Sequence, residues 1–498
     1  MARCVRRLRA SGGEHRLIAT LLLDATGPGG HRGRGPARGR AAPRPGPRRP
    51  TGLSAERLLA CPHPMPAEAG AGPIDPLAWR WAARPRRASP HDDTENPIDT
   101  SHASSILRPL GAFEHIIDLY ISRNPVQFSL AIELASSVPP GRLTQALAEL
   151  QAAHPLLAAR IDRGGERPAF HRADATIPVR HVEGGDWRTE AATEQTRPID
   201  PAGSPLARAT LLTDDGGKHG SVVLLTFSHQ IADGRGALRA ARDLLALLAG
   251  RTLHPRPVPD AQEDLLHRLP PAAAPSVDDG SAEQPVPEPG TLRPFDAAAP
   301  GIEIAELDQL TTERLRTTAR EHDSTVQGAL CAAGALELLE RPGAEQVRIN
   351  VPIDLRSSGL DDDLVNRFVA TTVTFRASAD DGLWSRARDA TAQLRFARDH
   401  AREAVAMLAS LHPRDAAEAE AAMLAATSAD LEITNLGVSG EDTSTAAAIW
   451  GPTMTTQVDD ERILGVLTHG GRLRLVLTTH GRPDGLTTGI ARRLAAAV

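Results

Sequence analysis

The sequence predicts an α/β protein built as two lobes of mixed sheet and helix. Three observations carry that expectation. Segments that alternate like strands are interleaved with segments of helical period from residue 106 to the end. One strand-like run, SVVLLTF at 221–227, is almost wholly apolar, as a strand covered on both faces would be. A stretch rich in Pro, Ala and acidic residues, 257–295, interrupts the pattern and reads as a linker. The expected organisation is a leader over 1–103, an N-terminal lobe over 104–256, a linker over 257–300 and a C-terminal lobe over 301–498.

Order is expected from about Ile106. LGAFEHIIDLY (110–120) has helical spacing, FSLAIEL (128–134) alternates like a strand, and PPGRLTQALAELQAAHPLLAARI (139–161) reads as one helix. SPLARATLL (204–212) and SVVLLTF are strands. ALRAARDLLALLAG (237–250) is a helix with its apolar stripe on Leu238, Ala241, Leu244, Leu245 and Leu248, closed by Gly250. Beyond the linker, IEIAEL (302–307) is a short strand. Ser324 and Gln327 form a capping box for the helix STVQGALCAAGALELLE (324–340), which buries Cys331 as a plain hydrophobe. VRINVPIDLR (347–356) and FVATTVTF (368–375) are strands, 384–409 and 415–427 are helical, and LEITNLG (431–437) is a strand. RILGVLTHGGRLRLVLTTH (462–480) is a hairpin turning at Gly470–Gly471, and a last helix starts after Pro483.

Composition narrows the function classes. With 498 residues, 3% aromatics and a single Tyr, the core has to be built from Ala, Leu, Val and Ile. Of 56 basic residues only Lys218 is lysine, and the net charge of −6 argues against a nucleic-acid partner for the chain as a whole. The first 50 residues carry twelve Arg against Glu14 and Asp24, about +10, and the segment 27–50 has nothing apolar to bury. A disordered leader is the expectation. Three cysteines, Cys4, Cys61 and Cys331, are odd in number and far apart, which fits a reducing cytoplasm rather than a disulfide framework or a zinc site. No run approaches the ~20 apolar residues of a membrane span, and Leu17–Leu23 is cut short by Asp24, against a secretory leader.

One motif carries chemistry: His229-Gln230-Ile231-Ala232-Asp233-Gly234, between the buried strand and the following helix. A strand end holds its last side chains rigidly, and the turn into the helix lets an imidazole project into a cleft. The ring's ordinary pKa near 6.5 suits a general base for a hydroxyl or amine. Asp233 is placed to hold the loop, by accepting hydrogen bonds or by meeting an Arg elsewhere. Gly234, with free φ, is expected to let the chain turn back so that backbone N–H groups face the cavity. Other candidates rank lower. His102, His115 and His154 are expected on helix or loop surfaces, His469 and His480 at solvent-facing strand ends, and Asp361–Asp363 in a solvated loop. There is no GxSxG elbow, Walker A loop or metal-ligand spacing, so no metal or cofactor is expected.

The motif does not stand alone. RPLGAFE (108–114), AAHPLLAARI (152–161), VPIDLR (351–356), NRFVATTVTF (366–375) and TNLG (434–437) occur with it in the order seen in the condensation-domain-like acyltransferases. In this respect the chain resembles that superfamily, which spans nonribosomal condensation domains, polyketide-associated acyltransferases of the phthiocerol/phthiodiolone dimycocerosyl transferase type, alcohol acetyltransferases and plant BAHD enzymes. The resemblance implies two chloramphenicol-acetyltransferase-like lobes with an active-site tunnel between them. It implies His229 and Asp233 as the catalytic residues, His229 as the base and Asp233 turned from substrate to meet Arg356, with Gly234 and Arg356 as structural or oxyanion support. Ser228 stands where many members have a first His, which counts against a strictly peptide-forming role. The BAHD signature DFGWG is absent, and WGP (450–452) is no substitute.

The implied activity moves an acyl group from a thioester, acyl-CoA or an acyl-carrier phosphopantetheine, to a small alcohol or amine in secondary-metabolite or lipid biosynthesis. The thioester is a donor substrate, and a carrier protein is one implied partner. Two alternatives stay open: a freestanding enzyme forming amides between carrier-bound substrates, and an inactive member that recruits another protein. Retention of both His229 and Asp233 argues against the last.

Overall fold

Apolar alternation and turn residues organise this chain into fourteen strands and ten helices among the residues described by its computed structural model, 106–203, 205–213, 220–272, 290–378, 382–440 and 443–498. The leader 1–103, with Cys4, Cys61 and His102, lies outside the described residues, as do Lys218 and 273–289 of the expected linker.

The first half runs β1 (Ile106–Pro109), α1 (Ala112–Ile121), β2 (Gln127–Leu134), α2 (Pro140–Ala153), β3 (Ala159–Asp162), β4 (Ala169–Arg172), β5 (Val179–Glu183), α3 (Trp187–Gln195), β6 (Ala207–Thr213), β7 (Val222–Ser228) and α4 (Gly234–Leu248). The second runs β8 (Gly301–Leu307), α5 (Gln309–Glu321), α6 (Val326–Leu339), β9 (Gln346–Asp354), β10 (Phe368–Arg376), α7 (Leu383–Asp399), α8 (Ala401–Ser410) and α9 (Ala416–Thr427). It ends with β11 (Leu431–Val438), β12 (Ala446–Met454), β13 (Arg462–His469), β14 (Arg472–Thr479) and α10 (Leu486–Ala496).

These strands form three sheets, in the orders β12-β2-β7-β6-β5, β10-β9-β11-β13-β14-β8 and β1-β4-β3. The two larger ones are mixed. β2 and β7 are antiparallel, with Phe128 opposite Phe227, while β5 and β6 are parallel. β11 is parallel to both β9 and β13. As its composition requires, β7 is a central strand, buried from Val223 to Ser228. Strand β12 comes from late in the chain yet pairs with β2, with Ala446 opposite Leu134 and Met454 opposite Phe128.

Small aliphatic side chains fill the core. Leu143, Leu147, Leu150, Leu244 and Leu245 of α2 and α4 pack on Leu130, Ile132 and Leu225. A second cluster joins Leu330 and Cys331 of α6 with Ile349, Ile433, Leu464 and Leu475. Cys331 is fully buried, and burial pushes its thiol up to about 12.

Four element boundaries differ from expectation, each for a local reason. The helix expected over 139–161 stops at Ala153. His154 precedes Pro155, which disfavours helical geometry at 154, and the chain passes through a 3-10 turn into β3. Thr325, not Ser324, caps α6: its side chain accepts the Gly328 N–H, whereas the Ser324 hydroxyl meets Thr391. The helix expected over 384–409 divides into α7 and α8 at His400. Within the expected linker, Gln262–Arg268 forms a 3-10 helix that buries Gln262 and Leu265. The hairpin turns as expected, with φ of +57° and +74° at Gly470 and Gly471.

Candidate active site

Strand β7 delivers the motif. The Ser228 N–H donates to Leu206 O at 2.8 Å and the His229 N–H to Val126 O at 3.2 Å, so the chain stays tied to its neighbours as it leaves the sheet. Phe128 and Phe368 flank the His229 ring, with centroids 5.4 and 5.7 Å away, and Phe113 packs edge-on against Phe368 at 5.2 Å. Asn366 Nδ2 donates to His229 O at 2.9 Å. Imidazole Nδ1 is shut off from solvent without a hydrogen-bond partner. Burial lowers the pKa of His229, while its own carbonyl, the Asp233 charge and Asn366 pull it back up. The ring is therefore neutral at pH 7.

Asp233 accepts from four donors. Arg356 Nη1 and Nη2 lie 3.0 and 3.1 Å from its two oxygens, the Gly236 N–H is at 2.7 Å and the Arg367 N–H at 2.8 Å. The Gly236 bond makes it the N-cap of α4. Burial opposes its ionisation, yet the Arg356 charge and these hydrogen bonds prevail and hold the carboxyl below its usual range. Arg356, only 5% exposed, also donates to Asp354 Oδ1 and to the carbonyls of Asp363 and Val365. The structure thus joins the Asp and Arg named from sequence and turns both oxygens of Asp233 away from base chemistry.

Gly234 does not use the free φ expected of it. Its φ is not positive. A Cβ here would lie 2.5 Å from Leu436 Cδ2, so the small residue lets β11 approach closely unless the Leu436 side chain shifts. Arg235 strengthens the same contact, donating to Leu436 O at 2.7 Å.

The position before His229 has its own network. Ser228 Oγ donates to Gln230 Oε1 at 2.8 Å, and Gln230 Nε2 donates to Asp118 Oδ1 at 2.6 Å. Arg163 grips Asp118 through Nε and Nη2, at 2.9 and 2.6 Å. This network, buried except at Arg163, braces the motif from behind.

His229, Asp233 and Gly234 open on a cleft of about 910 Å³, its mouth included, whose wall also takes Phe113, Phe128, Pro352, Phe368, Leu436 and Met454. The lining is mainly apolar, and its wall draws on both halves of the chain. Asn350, Glu432 and Thr434 form a polar strip on the β9–β11 side. Sequence reasoning did not select Phe128, Phe368, Asn366, Gln230 or Asp118. Each lies in a segment already read as helix, strand or motif, and its role exists only once those segments are brought together.

Several lesser expectations are corrected. His154 is a core residue, 2% exposed, with Nε2 2.7 Å from Asp243 Oδ2. His469 is 4% exposed, its ring held by Ser439 and by Ala446 O, and His480 is half-buried. Asp361–Asp363 do lie in a partly exposed loop, where arginines engage them: Asp361 by Arg268, Asp362 by Arg239 and Asp363 by Arg256. Among the described residues no His, Cys, Asp and Glu side chains gather in a set of three that could hold a metal, and no helix is long and apolar enough to cross a membrane.

Two mixed sheets, with a motif histidine at the end of a central strand opening on a cleft lined from both halves of the chain, constitute the condensation-domain fold, in which the lobes resemble chloramphenicol acetyltransferase. Solved structures bear this out. Polyketide synthase associated protein 5 from Mycobacterium tuberculosis superposes with a TM-score of 0.55 at 18% identity, over 78% of this chain and 97% of that one. The first condensation domain of the calcium-dependent antibiotic synthetase, solved with a substrate analogue, gives 0.56 at 17% identity over 79% and 97%. The condensation domain of the monacolin K polyketide synthase gives 0.54 at 15% over 79% and 97%. No protein-family model matches the sequence, and no curated protein matches it.

Proposed function

We propose that this chain is an acyltransferase that moves an acyl group from a thioester, on coenzyme A or a carrier-protein phosphopantetheine, to an alcohol or amine acceptor. The observation that carries the reading is the His229 imidazole set in the cleft wall between Phe128 and Phe368, beside the Asp233–Arg356 pair. The two large sheets act as two lobes, the first completed by β12 from beyond the linker rather than by the N-terminal half alone, with donor and acceptor entering the cleft from opposite faces.

His229 Nε2 takes the acceptor's proton as its oxygen or nitrogen attacks the thioester carbonyl carbon. The carbonyl electron pair moves onto oxygen and returns as the C–S bond breaks, and the imidazolium gives its proton to the departing thiolate. General-base help of this kind contributes ~10²–10⁴-fold, and holding both substrates in one cleft supplies much of the rest. The oxyanion needs donors. In the first turn of α4 the Gly236 N–H is taken by Asp233, leaving those of Gly234 and Arg235 as the candidates. Polyketide, peptide or lipid assembly in the cytoplasm is the setting that fits such chemistry.

The test is transfer by the full chain from panels of acyl-CoA and acyl-carrier donors to alcohols and amines, read by intact mass. His229→Ala is expected to lose ~10²–10⁴-fold in rate without unfolding. An unchanged rate would overturn the proposal.

A further inference from the structure

The cleft carries a second polar feature that the transfer chemistry leaves unused. Glu432 on β11 and Asn350 on β9 are register partners in neighbouring parallel strands, and Thr434 follows two residues on, along the same face. All three line the cleft. Asn350 Nδ2 donates to Glu432 Oε2 at 3.0 Å, and Thr434 Oγ1 donates to Oε1 at 3.0 Å. Each carboxylate oxygen therefore has one donor and spare acceptor capacity.

The orientation of Asn350 follows from its partner. A carboxylate oxygen only accepts, so Asn350 must turn its NH₂ toward Glu432, which leaves its own Oδ1 buried without a partner. The strip thus offers two adjacent acceptors, one of them anionic. Among the described residues Glu432 has no cationic partner, in contrast to Asp233 with Arg356 and Asp354 with Arg235. Burial pushes its carboxyl above the usual range, and only the Asn350 and Thr434 hydrogen bonds, with no cation, favour its ionised form.

We infer that the Glu432–Asn350 pair binds a protonated primary amine carried by one of the two substrates and distinct from the reacting nucleophile. An ammonium supplies the missing positive charge and enough N–H donors for both oxygens, whereas a hydroxyl supplies one donor and no charge. It is not the attacking group, because nitrogen held as a cation has no lone pair to give. The inference deepens the acyltransferase reading by naming a substrate feature, and its binding arm does not depend on turnover.

Full-length protein is titrated with n-hexylamine and n-hexanol by calorimetry. Hexylamine is expected to bind about tenfold more tightly, the scale of one charge-assisted hydrogen bond. Glu432→Gln is expected to abolish the preference and leave hexanol binding unchanged, which also checks folding. Thr434→Val keeps the carboxylate and is expected to keep the preference. Equal affinities in the wild-type protein, or a preference that survives Glu432→Gln, overturn the inference, and the wild-type arm decides if the variant fails to fold. Two kinetic comparisons locate the amine: 6-amino-1-hexanol against 1-hexanol as acceptor, and 6-aminohexanoyl-CoA against hexanoyl-CoA as donor. About a tenfold lower KM in one of them assigns the strip to that substrate. Amine binding with no transfer to any acceptor would sink the acyltransferase reading alone. Transfer without amine preference would sink this inference alone.

Discussion

Arg356 holds the carboxylate of Asp233 through both Nη atoms, at 3.0 and 3.1 Å, from just beyond the end of β9. The contact links residues 123 positions apart, so one ion pair fixes the first turn of the motif helix against the second half of the chain. Arg356→Ala leaves a buried carboxylate without its cation, and a loss of ~3–5 kcal/mol in urea unfolding is expected. Arg356→Lys is expected to recover only part of it, because lysine cannot match both oxygens. A loss under about 1 kcal/mol would reduce the pair to the weight of a surface contact.

The pH dependence of transfer follows from the lowered pKa of His229. The base works when neutral, and burial shifts protonation to more acid solution. The acid limb of kcat/KM is therefore expected below pH 6.5, with full activity at pH 7. Asp233→Asn removes a charge that raises the His229 pKa, so the limb is expected to move further down. A limb above 6.5 would contradict the buried, neutral imidazole.

Gly234→Ala sets two effects against each other. In a helix with ordinary φ the change commonly stabilises by ~0.4–1 kcal/mol. Here the new methyl would sit 2.5 Å from Leu436 Cδ2, and overpacking of this sort costs ~1–3 kcal/mol. Net destabilisation is expected in thermal unfolding, and the double variant with Leu436→Ala is expected to be less destabilised than the sum of the two single changes. Simple additivity would show that the two residues do not compete for space.

Each carboxylate of the 361–363 run already meets an arginine. Millimolar calcium or magnesium is therefore expected to leave the melting temperature unchanged. Single neutralisation of Asp361, whose side chain is 61% exposed, is expected to cost no more than about 1 kcal/mol.

The sequence made the β7–motif–α4 unit legible because an apolar run, a polar break and a 3.6-residue stripe are all local signals. Arg356 was reached only through resemblance, since nothing local marks it as the partner of a residue 123 positions away. Strand β12 escaped notice: AAAIWGPTM begins with alanines and contains Gly451-Pro452, a pair that ordinarily speaks against a strand. Phe128 and Phe368 read only as apolar positions in their strands, and their role as the flanks of His229 exists only once β2 and β10 are assembled. The free φ expected at Gly234 is not used, and its neighbour Leu436 becomes visible only once β11 is assembled.

Strand β12 also bears on how the molecule is made. The sheet that presents the motif histidine is closed along β2 by a strand lying near the end of the chain. While the ribosome is still translating, β2 has an open hydrogen-bonding edge, and it stays open until Met454 has emerged. The nascent N-terminal half therefore waits, exposed to wrong partners and to chaperones, for a strand encoded more than half the message later.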